Sequence, residues 1–347
     1  MTVPRKRARS GVTLIDVARA AGVSRTAASA ALNGTGRVAD ETADRVRAVA
    51  RELDYHPNVT AQNLRRERFG AVGVVLPDDV TGLGYYMDFT FGVLEVLKED
   101  ALSVVLLPVD AGSSPAARGV DGFIVIDAQD GDEQVRKLFA QGLPVVSGER
   151  VDPDLGTPTG IVESDHSAAM VELLDHLAAN GARQPVFLSP GSDYAWGRAL
   201  RDGFEGWCDR HGIRPFVVDV PFGPSATEAE DACRRVLETH PGVDALVCGS
   251  DHTAAVAILV AAELGRTIGA DLLLASCVDS AVVQLATPPV TALDLDAREF
   301  GSHCARLFVE LLGEEQIRST PVIEISPTKL RIRASTAGTR AHAGRNR

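Results

Sequence analysis

Residues 12–32, VTLIDVARAAGVSRTAASAAL, form the pattern of two short helices joined by a tight turn. Thr13 can cap the first helix, and Asp16 three residues later can reach back to it, which makes an approximate capping box. Gly22 supplies the turn, and Ser24 can cap the second helix. The inner positions of both helices are mostly alanine, and small side chains let two helices cross closely, as a helix-turn-helix requires. The alternative is an ordinary helical hairpin inside a larger core.

The distribution of charge favours the helix-turn-helix over the hairpin. The 347-residue chain has a net charge of -12, which taken alone argues against a nucleic-acid partner. Residues 1–69, however, contain 13 Lys and Arg against 7 Asp and Glu, a net charge of +6, so the remaining residues carry -18. A basic end on an acidic body is expected when one end of a protein meets DNA phosphates.

Three further features indicate a cytoplasmic protein. The basic run at residues 4–10, PRKRARS, has no apolar stretch behind it and so is not a signal peptide. No apolar run approaches the ~20 residues of a membrane span. The five cysteines lack CxxC spacing, which indicates a reduced, metal-free chain in which each is a small buried hydrophobe. They are Cys208, Cys233, Cys248, Cys277 and Cys304.

The rest of the chain divides into segments by composition. A third helix is predicted near residues 40–53, with Val46, Val49, Ala50 and Leu53 on one apolar stripe. The predicted segments are a disordered basic arm at 1–11, a helix-turn-helix domain at 12–56, a hinge helix and linker at 57–69, a two-lobed domain at 70–333 and a disordered tail at 334–347.

From Ala71 onward the pattern changes to alternating strands and helices. The run AVGVVLP is typical of a buried parallel strand. Alternation on this scale predicts an α/β domain with doubly wound parallel sheets in two lobes. Strands are predicted at 71–76, 103–107, 121–126, 144–147, 185–188, 216–219, 244–248, 272–276 and 290–293, and helices at 86–99, 132–141, 167–180, 197–211, 226–239, 253–264 and 297–312.

Over nearly its full length the sequence resembles the LacI/GalR family of transcription regulators. The most specific stretches are VTLIDVARAAGVSRTAASAALNG at 12–34 and RVADETADRVRAVARELDYHPN at 37–58. Five weaker ones follow in the family's order: LRRERFGAVGVVLP, VDGFIVI, LPVV, RALRDGFEGW and GSDHTAAVAIL. The resemblance implies an α/β body like that of periplasmic sugar-binding proteins, with a ligand cleft between its lobes.

The resemblance also implies which residues contact DNA. The second helix enters the major groove, and Arg25, Thr26 and Ala30 read bases. An arginine can make a bidentate contact to guanine, worth about 1–3 kcal/mol of discrimination. Ala30 departs from the family's usual polar residue and offers only an apolar contact. Thr13, Ser24, Ser29 and Asn33 complete this set, the last two nearer the DNA backbone.

The segment 58–66, NVTAQNLRR, matches the family's hinge helix. Two copies, one per subunit, would fold against the minor groove, where Leu64 is wedged between base pairs and flanking arginines neutralise phosphates. Asn58, Ala61, Leu64 and Arg65 are the DNA contacts implied here. The alternative is that Leu64 packs under the α/β body. Pairing of two hinges implies a homodimer and a pseudo-palindromic operator in double-stranded DNA.

The same resemblance assigns roles in the cleft. Arg198 matches a ligand-gripping arginine, and Asp251 matches an aspartate at a strand's carboxyl end, where open α/β sheets bind ligands. The full set is Glu149, Trp196, Arg198, Phe222, Asp251 and Asp279, with Phe222 or Trp196 stacking on a sugar face. For Asp165 and Asp296 we prefer the role of helix N-cap. The isolated His166, His252 and His303 are interpreted as surface or core residues.

Three features depart from the family pattern. The link at 108–120 has room for at most one helical turn where relatives have a full helix. Leu295 stands where a polar ligand contact is common, and Ser250 replaces a common asparagine. These departures put a standard hexose effector in doubt, and they keep open a cleft that binds no ligand.

The expected function is therefore a dimeric DNA-binding regulator, acting as a repressor, whose DNA affinity is controlled by a small sugar-like effector. No catalytic motif is found, so neither an enzyme nor a cofactor is expected. Two alternatives remain: a regulator with a vestigial cleft, and a solute-binding protein. The basic first 69 residues and the lack of a signal peptide count against the second.

Overall fold

In the computed structural model, residues 12–33, 38–55, 68–77, 83–107, 113–313 and 320–337 are described. The chain divides into two compact units, residues 1–69 and 70–347. The predicted basic arm, most of the predicted hinge and the last ten residues of the predicted tail lie outside the described residues. None of the described helices has the length and hydrophobicity of a membrane span.

The described residues of the first unit form three helices, α1 (Leu14–Ala20), α2 (Arg25–Asn33) and α3 (Asp40–Glu52). The predicted capping box is present: the Thr13 side chain accepts from the Asp16 amide, and the Asp16 carboxylate accepts from the Thr13 amide at 3.0 Å. Ser24 caps α2 by accepting from the Ala27 amide at 3.1 Å. Local capping therefore begins both helices where the sequence predicted.

The core of this unit is built from small side chains. Val17, Ala28, Ala31 and Val46 are almost completely buried at the meeting point of the three helices. Gly22, with φ of +67°, makes the turn between α1 and α2 in the left-handed region that glycine tolerates. The close helix crossing required of a helix-turn-helix is thus present.

The second unit has two lobes, each with a six-stranded sheet. In lobe 1 the strand order is β2-β1-β3-β4-β5-β11, and every pairing is parallel. The strands are β1 (Ala71–Val75), β2 (Ser103–Leu106), β3 (Phe123–Ile126), β4 (Val145–Gly148), β5 (Gly160–Ser164) and β11 (Val322–Ser326), and the helices are α4 (Leu83–Glu99), α5 (Glu133–Phe139) and α11 (Ala297–Leu312).

Lobe 2 repeats this arrangement with the order β7-β6-β8-β9-β10-β12, in which only β12 is antiparallel to its neighbour. The strands are β6 (Pro185–Ser189), β7 (Val217–Asp219), β8 (Ala245–Cys248), β9 (Leu273–Ser276), β10 (Thr291–Asp294) and β12 (Lys329–Arg331), and the helices are α6 (His166–Ala179), α7 (Ala195–His211), α8 (Ala226–Thr239), α9 (Asp251–Glu263) and α10 (Ala281–Gln284).

The chain crosses between the lobes three times, after β5, β10 and β11. The second crossing carries α11 back onto α4 of lobe 1. A Cβ added at Gly92 on α4 would lie 1.9 Å from the Arg298 carbonyl oxygen, and one added at Gly301 on α11 would lie 2.1 Å from the Phe89 oxygen. Glycine is therefore required on both helices, because only it allows this close approach.

The structure confirms the predicted two-lobed α/β class and adds three strands that the sequence did not predict, β5, β11 and β12. Strand β5 is short and begins with Gly160, where an added Cβ would lie 2.8 Å from Leu307, so only Ile161 and Val162 provide a β-branched signal. Strands β11 and β12 form the edges of their sheets, where burial is incomplete and the hydrophobic pattern is weak.

The chain end also differs from expectation. Residues 334–336 form a 3₁₀ turn in which Ser335 and Thr336 are buried, so disorder does not begin at residue 334. The Ser335 hydroxyl donates to the Leu274 carbonyl at 2.6 Å and accepts from the Thr291 amide at 2.8 Å. These hydrogen bonds keep residues 334–336 in place, although the sequence of this polar segment has no apolar pattern. In the short link, the turn at Pro115–Arg118 agrees with the prediction of at most one helical turn.

Candidate functional site

The exposed face of α2 is the first candidate surface. Arg25 and Thr26 are exposed at its N-terminal end, and Ser29 and Ala30 are half-buried on the same side of the helix. The first turn contains no acidic side chain, so the partial positive charge of the helix end is left uncompensated. An arginine and a threonine at such an end suit a DNA groove lined by phosphates.

The predicted DNA contacts divide into three groups in the structure. Arg25, Thr26, Ser29 and Ala30 lie together on α2, whereas Thr13 and Ser24 are the exposed caps of α1 and α2. Asn33 ends α2, with its side chain outside the described set. The predicted hinge contacts Asn58, Ala61, Leu64 and Arg65 lie outside the described residues.

The second candidate site is a cavity between the two lobes, of about 60 Å³. It lies beyond the carboxyl ends of the parallel strands, where open α/β sheets bind ligands. Its lining residues are Tyr85, Tyr86, Asp127, Glu149, His166, Trp196, Leu200, Phe222, Gly223, Gly249, Ser250, Asp251, Cys277, Val278 and Leu295.

Asp127, directly after β3, is one of three acids in this cavity. The Tyr86 hydroxyl of α4 donates to its Oδ2 at 2.7 Å. Burial, followed by the nearby charge of Glu149, raises the pKa of Asp127 from 3.8 to about 7. Asp127 can therefore change its protonation state near neutral pH.

Glu149, directly after β4, forms a buried pair with His166 at the first crossing. The His166 Nε2 atom lies 2.9 Å from Glu149 Oε1, which also accepts from the Ser164 amide at 3.3 Å. Burial lowers the pKa of His166, but the charge and hydrogen bond of Glu149 raise it more, so that the pKa lies above its usual value. The pair therefore links a lobe 1 strand end to the start of α6 in lobe 2.

The backbone at both acids is unusual. Asp127 has φ of 49° and Glu149 has φ of 71°, in the left-handed region that side chains other than glycine, asparagine and aspartate rarely adopt. Conformations of this kind cost about 1–3 kcal/mol each and cluster at ligand sites. Since aspartate tolerates this region, Glu149 is the more exceptional of the two, and it lies at the end of β4 in the cavity lining.

Lobe 2 supplies an aromatic wall. The ring centroids of Trp196 and Phe222 lie 5.6 Å apart in an edge-to-face arrangement, and Tyr194 packs behind them at 4.8 Å from Phe222. Trp196 is 8% exposed, and its Nε1 has no hydrogen-bond partner among the residues that the structure describes. A buried indole N–H usually finds an acceptor, so this donor is available to a ligand.

Comparison with known proteins gives the same two-part division. The family described as bacterial regulatory proteins, lacI family, matches residues 13–58, and the periplasmic binding protein-like domain matches residues 174–336. The chain thus joins a LacI-family helix-turn-helix domain to a periplasmic binding protein-like domain. Among its curated relatives, the maltose regulon regulatory protein MalI of Escherichia coli (strain K12) is 28% identical over 90% of this chain and 96% of that protein. The regulator CelR of Thermobifida fusca is 27% identical over 93% and 98%.

Solved structures of LacI-family regulators share the fold. A CelR–cellobiose complex matches with a TM-score of 0.70 and 26% identity over 93% of this chain and 99% of that one. The lac repressor dimer bound to operator and the anti-inducer ONPF matches with a TM-score of 0.74 over 95% and 100%, at 22% identity. These relatives are transcriptional regulators.

Four of the six predicted cleft residues line the cavity: Glu149, Trp196, Phe222 and Asp251. Asp251 opens α9 while the neighbouring Ser250 caps that helix, so the acid is not the cap. Asp165 and Asp296 are helix N-caps, as predicted.

The other two predicted residues, Arg198 and Asp279, are not among the cavity lining. Arg198 instead binds Asp130 of lobe 1, with one Nη2–Oδ1 distance of 3.2 Å, and donates to the Ser192 carbonyl at 2.6 Å. Asp279 is buried against Arg333 in a two-bonded ion pair, at 2.9 and 2.7 Å. Their charges are therefore already neutralised by the protein.

Four polar or aromatic cavity residues were missed by sequence reasoning: Tyr85, Tyr86, Asp127 and His166. Asp127 directly follows the VDGFIVI stretch, so its position at a strand end was a usable signal. The sequence around Tyr86 and His166 contained no such signal, because their roles depend on hydrogen-bond partners 41 and 17 residues away in the chain.

Proposed function

We propose that the protein is a repressor that binds a pseudo-palindromic operator as a homodimer and releases or holds it according to the occupancy of the interlobe cavity. The observation that supports this is the presence, in one chain, of a helix presenting Arg25 and Thr26 and a cavity lined by polar and aromatic side chains. The curated relatives with this combination include the sucrose operon repressor of Klebsiella pneumoniae.

Exposed apolar side chains on each lobe support the dimer. In lobe 1, Phe91 and Leu94 of α4 and Leu106 of the edge strand β2 are exposed. In lobe 2, Leu259 of α9 and Leu285, which is 83% exposed, show the same feature. Phe91 and Leu94, three residues apart on α4, share one face of that helix, and an exposed apolar face of this kind is suited to burial against a second copy.

The ion pair between Arg198 and Asp130 supports a mechanism based on lobe closure. It joins α7 of lobe 2 to lobe 1, and the Asp130 amide also donates to the Asp193 carbonyl at 2.8 Å. An effector that favours one lobe arrangement shifts the dimer between DNA-binding states. A shift from 1:99 to 99:1 requires about 5.5 kcal/mol of differential effector binding.

The predicted hinge at 57–69 is proposed to carry this signal to the DNA, with Leu64 as the minor-groove wedge. We place the protein in the cytoplasm, and on the nucleoid when it is bound to an operator, because regulation requires access to the chromosome. The predicted domain boundaries and effector-binding residues form part of the same proposal.

Selection of binding sites from random duplex DNA with the full chain tests the DNA-binding function. We expect a two-fold symmetric consensus, with a gel shift that weakens as salt is raised. The variant Arg25→Ala should relax the preference at one base pair of each half-site, whereas Arg118→Ala, on the exposed turn of the α/β body, should not. Recovery of no consensus, or equal binding to competitor DNA, refutes the proposal.

A regulator with a vestigial cleft is the second candidate. The observation that favours it is the small cavity of about 60 Å³, since a cavity of about 150 Å³ holds a ligand only as large as benzene. If a broad panel of sugars and amines leaves both the melting temperature and operator affinity unchanged, this candidate replaces the first.

A further inference from the structure

The cavity has an unusual charge composition for a site expected to bind a neutral sugar. Asp127, Glu149 and Asp251 are acidic, and no lysine or arginine is among its described lining residues. His166 is the one basic group in that lining, and it is paired with Glu149 at 2.9 Å. Asp127, which is buried, and Asp251, which is half-buried, therefore have no cationic partner in the described lining. A buried acid without such a partner is held in its neutral form unless a ligand supplies the cation.

Each of these acids also has an oxygen without a donor among the described residues. Asp127 Oδ2 accepts from Tyr86, and Glu149 Oε1 accepts from His166 and Ser164. Asp251 Oδ1 accepts from the His252 amide at 2.7 Å. The second oxygen of each carboxylate remains available, so the site can receive several hydrogen bonds from a donor-rich ligand.

The aromatic residues around these acids suit a cation as well as a sugar ring. Tyr85 and Tyr86 lie at one side, with ring centroids 5.3 Å apart, and Trp196 and Phe222 lie at the other. An ammonium group is attracted to aromatic faces, and this attraction strengthens when water is excluded. Charge and aromatic composition thus favour the same kind of ligand.

The unpaired Trp196 Nε1 adds a second requirement. It is a donor on a side chain more than nine-tenths buried, so the ligand must present an acceptor as well as an ammonium group. We infer that the cavity binds a small hydroxylated amine in its cationic form, of which amino sugars are the representative class. The ammonium group contacts the carboxylates, and a hydroxyl accepts from Trp196. This inference rests on the proposed effector function of the cavity.

Calorimetry and thermal-shift measurements on the full chain at pH 7 test the inference. The probes are D-glucosamine and D-galactosamine, with D-glucose, D-galactose and N-acetyl-D-glucosamine as matched neutral compounds. Charge-assisted hydrogen bonds are roughly twice as strong as neutral ones, so each amine should bind at least about tenfold more tightly than its neutral counterpart. The lobes must separate for entry, because the present cavity of about 60 Å³ is too small for a hexose ring.

The variant Asp251→Asn keeps the side-chain shape and should weaken amine binding at least about tenfold. The matched control is Asp209→Asn, an exposed position on α7 that should leave binding unchanged. Circular dichroism of the ligand-free variants checks that both are folded.

Two results overturn the inference: a neutral hexose binding as tightly as its amine, or no melting-temperature shift with either amine at about 10 mM, a concentration that detects millimolar affinity. The regulator proposal is tested separately by the gel shift without ligand, and it fails if the chain shows no sequence-specific DNA binding there. A chain that binds operator but prefers neutral sugars therefore refutes only the amine inference.

Discussion

Replacing Asp127 with asparagine tests the electrostatics of the cavity. Burial and then the charge of Glu149 raise the pKa of this side chain from 3.8 to about 7. The folded protein thus binds the Asp127 proton more tightly than the unfolded chain. Its contribution to stability is fully present below about pH 4 and is lost as the pH rises to about 7, a total of about 4 kcal/mol at most.

Asparagine keeps an oxygen that can accept from Tyr86 but cannot ionise. The gain in free energy of unfolding for Asp127→Asn should be about 2–3 kcal/mol larger at pH 8 than at pH 5. For a unit of this size that corresponds to about 4–12 °C in melting temperature. Comparing the two pH values cancels any pH-independent effect of the amide, such as altered packing.

Differential scanning calorimetry of both proteins at pH 5 and pH 8 measures this difference. The exposed control Asp209→Asn should give the same small change at both values. If the gain from Asp127→Asn is equal at pH 5 and pH 8, Asp127 is ionised in the folded protein at pH 5, and the argument from burial is wrong.

Three further predictions concern packing, closure and DNA reading. Gly92→Ala should lower the free energy of unfolding, measured by chemical denaturation, by about 2 kcal/mol or more, because the added Cβ would lie 1.9 Å from the Arg298 carbonyl oxygen of α11. The control Gly84→Ala should not destabilise the protein, because the space around Gly84 is open. Arg198→Ala should change the free energy of unfolding by less than about 1 kcal/mol, because the ion pair of Arg198 with Asp130 is about one-third exposed. The same variant should widen the angle between the lobes, as measured by small-angle X-ray scattering. An unchanged scattering profile contradicts a role for Arg198 in closure. Arg25→Ala should weaken operator binding by about 1–3 kcal/mol in gel shifts and relax the preference at one base pair of each half-site. If binding is instead weakened equally for all operator sequences, Arg25 contacts a phosphate rather than a base.

The helix-turn-helix was predictable because its signals are local. Thr13, Gly22 and Ser24 each act within three residues of their own position, so the sequence contains the whole pattern. Acids at strand ends were also accessible, as Glu149 and Asp251 demonstrate. Such positions depend on strand prediction alone, which continuous apolar runs made possible.

The remaining cavity chemistry was not predictable from the sequence, because it depends on which groups meet across the lobes. Arg198 has the expected position on α7, but its charge is neutralised by Asp130, 68 residues away in the chain. Asp279 is likewise paired with Arg333, 54 residues away. A sequence pattern identifies a charged residue, whereas the tertiary contact decides whether its charge is available to a ligand.

The return of the chain to lobe 1 has a consequence for synthesis of the protein. Phe300 and Phe308 of α11 complete the core of lobe 1, and β11 at Val322–Ser326 completes its sheet. On the ribosome, the helices of residues 14–52 can fold early, but lobe 1 keeps apolar surface uncovered until the chain as far as Ser326 has been added. The nascent chain therefore has a long period of exposure to aggregation, and a truncated translation product would leave both lobes incomplete.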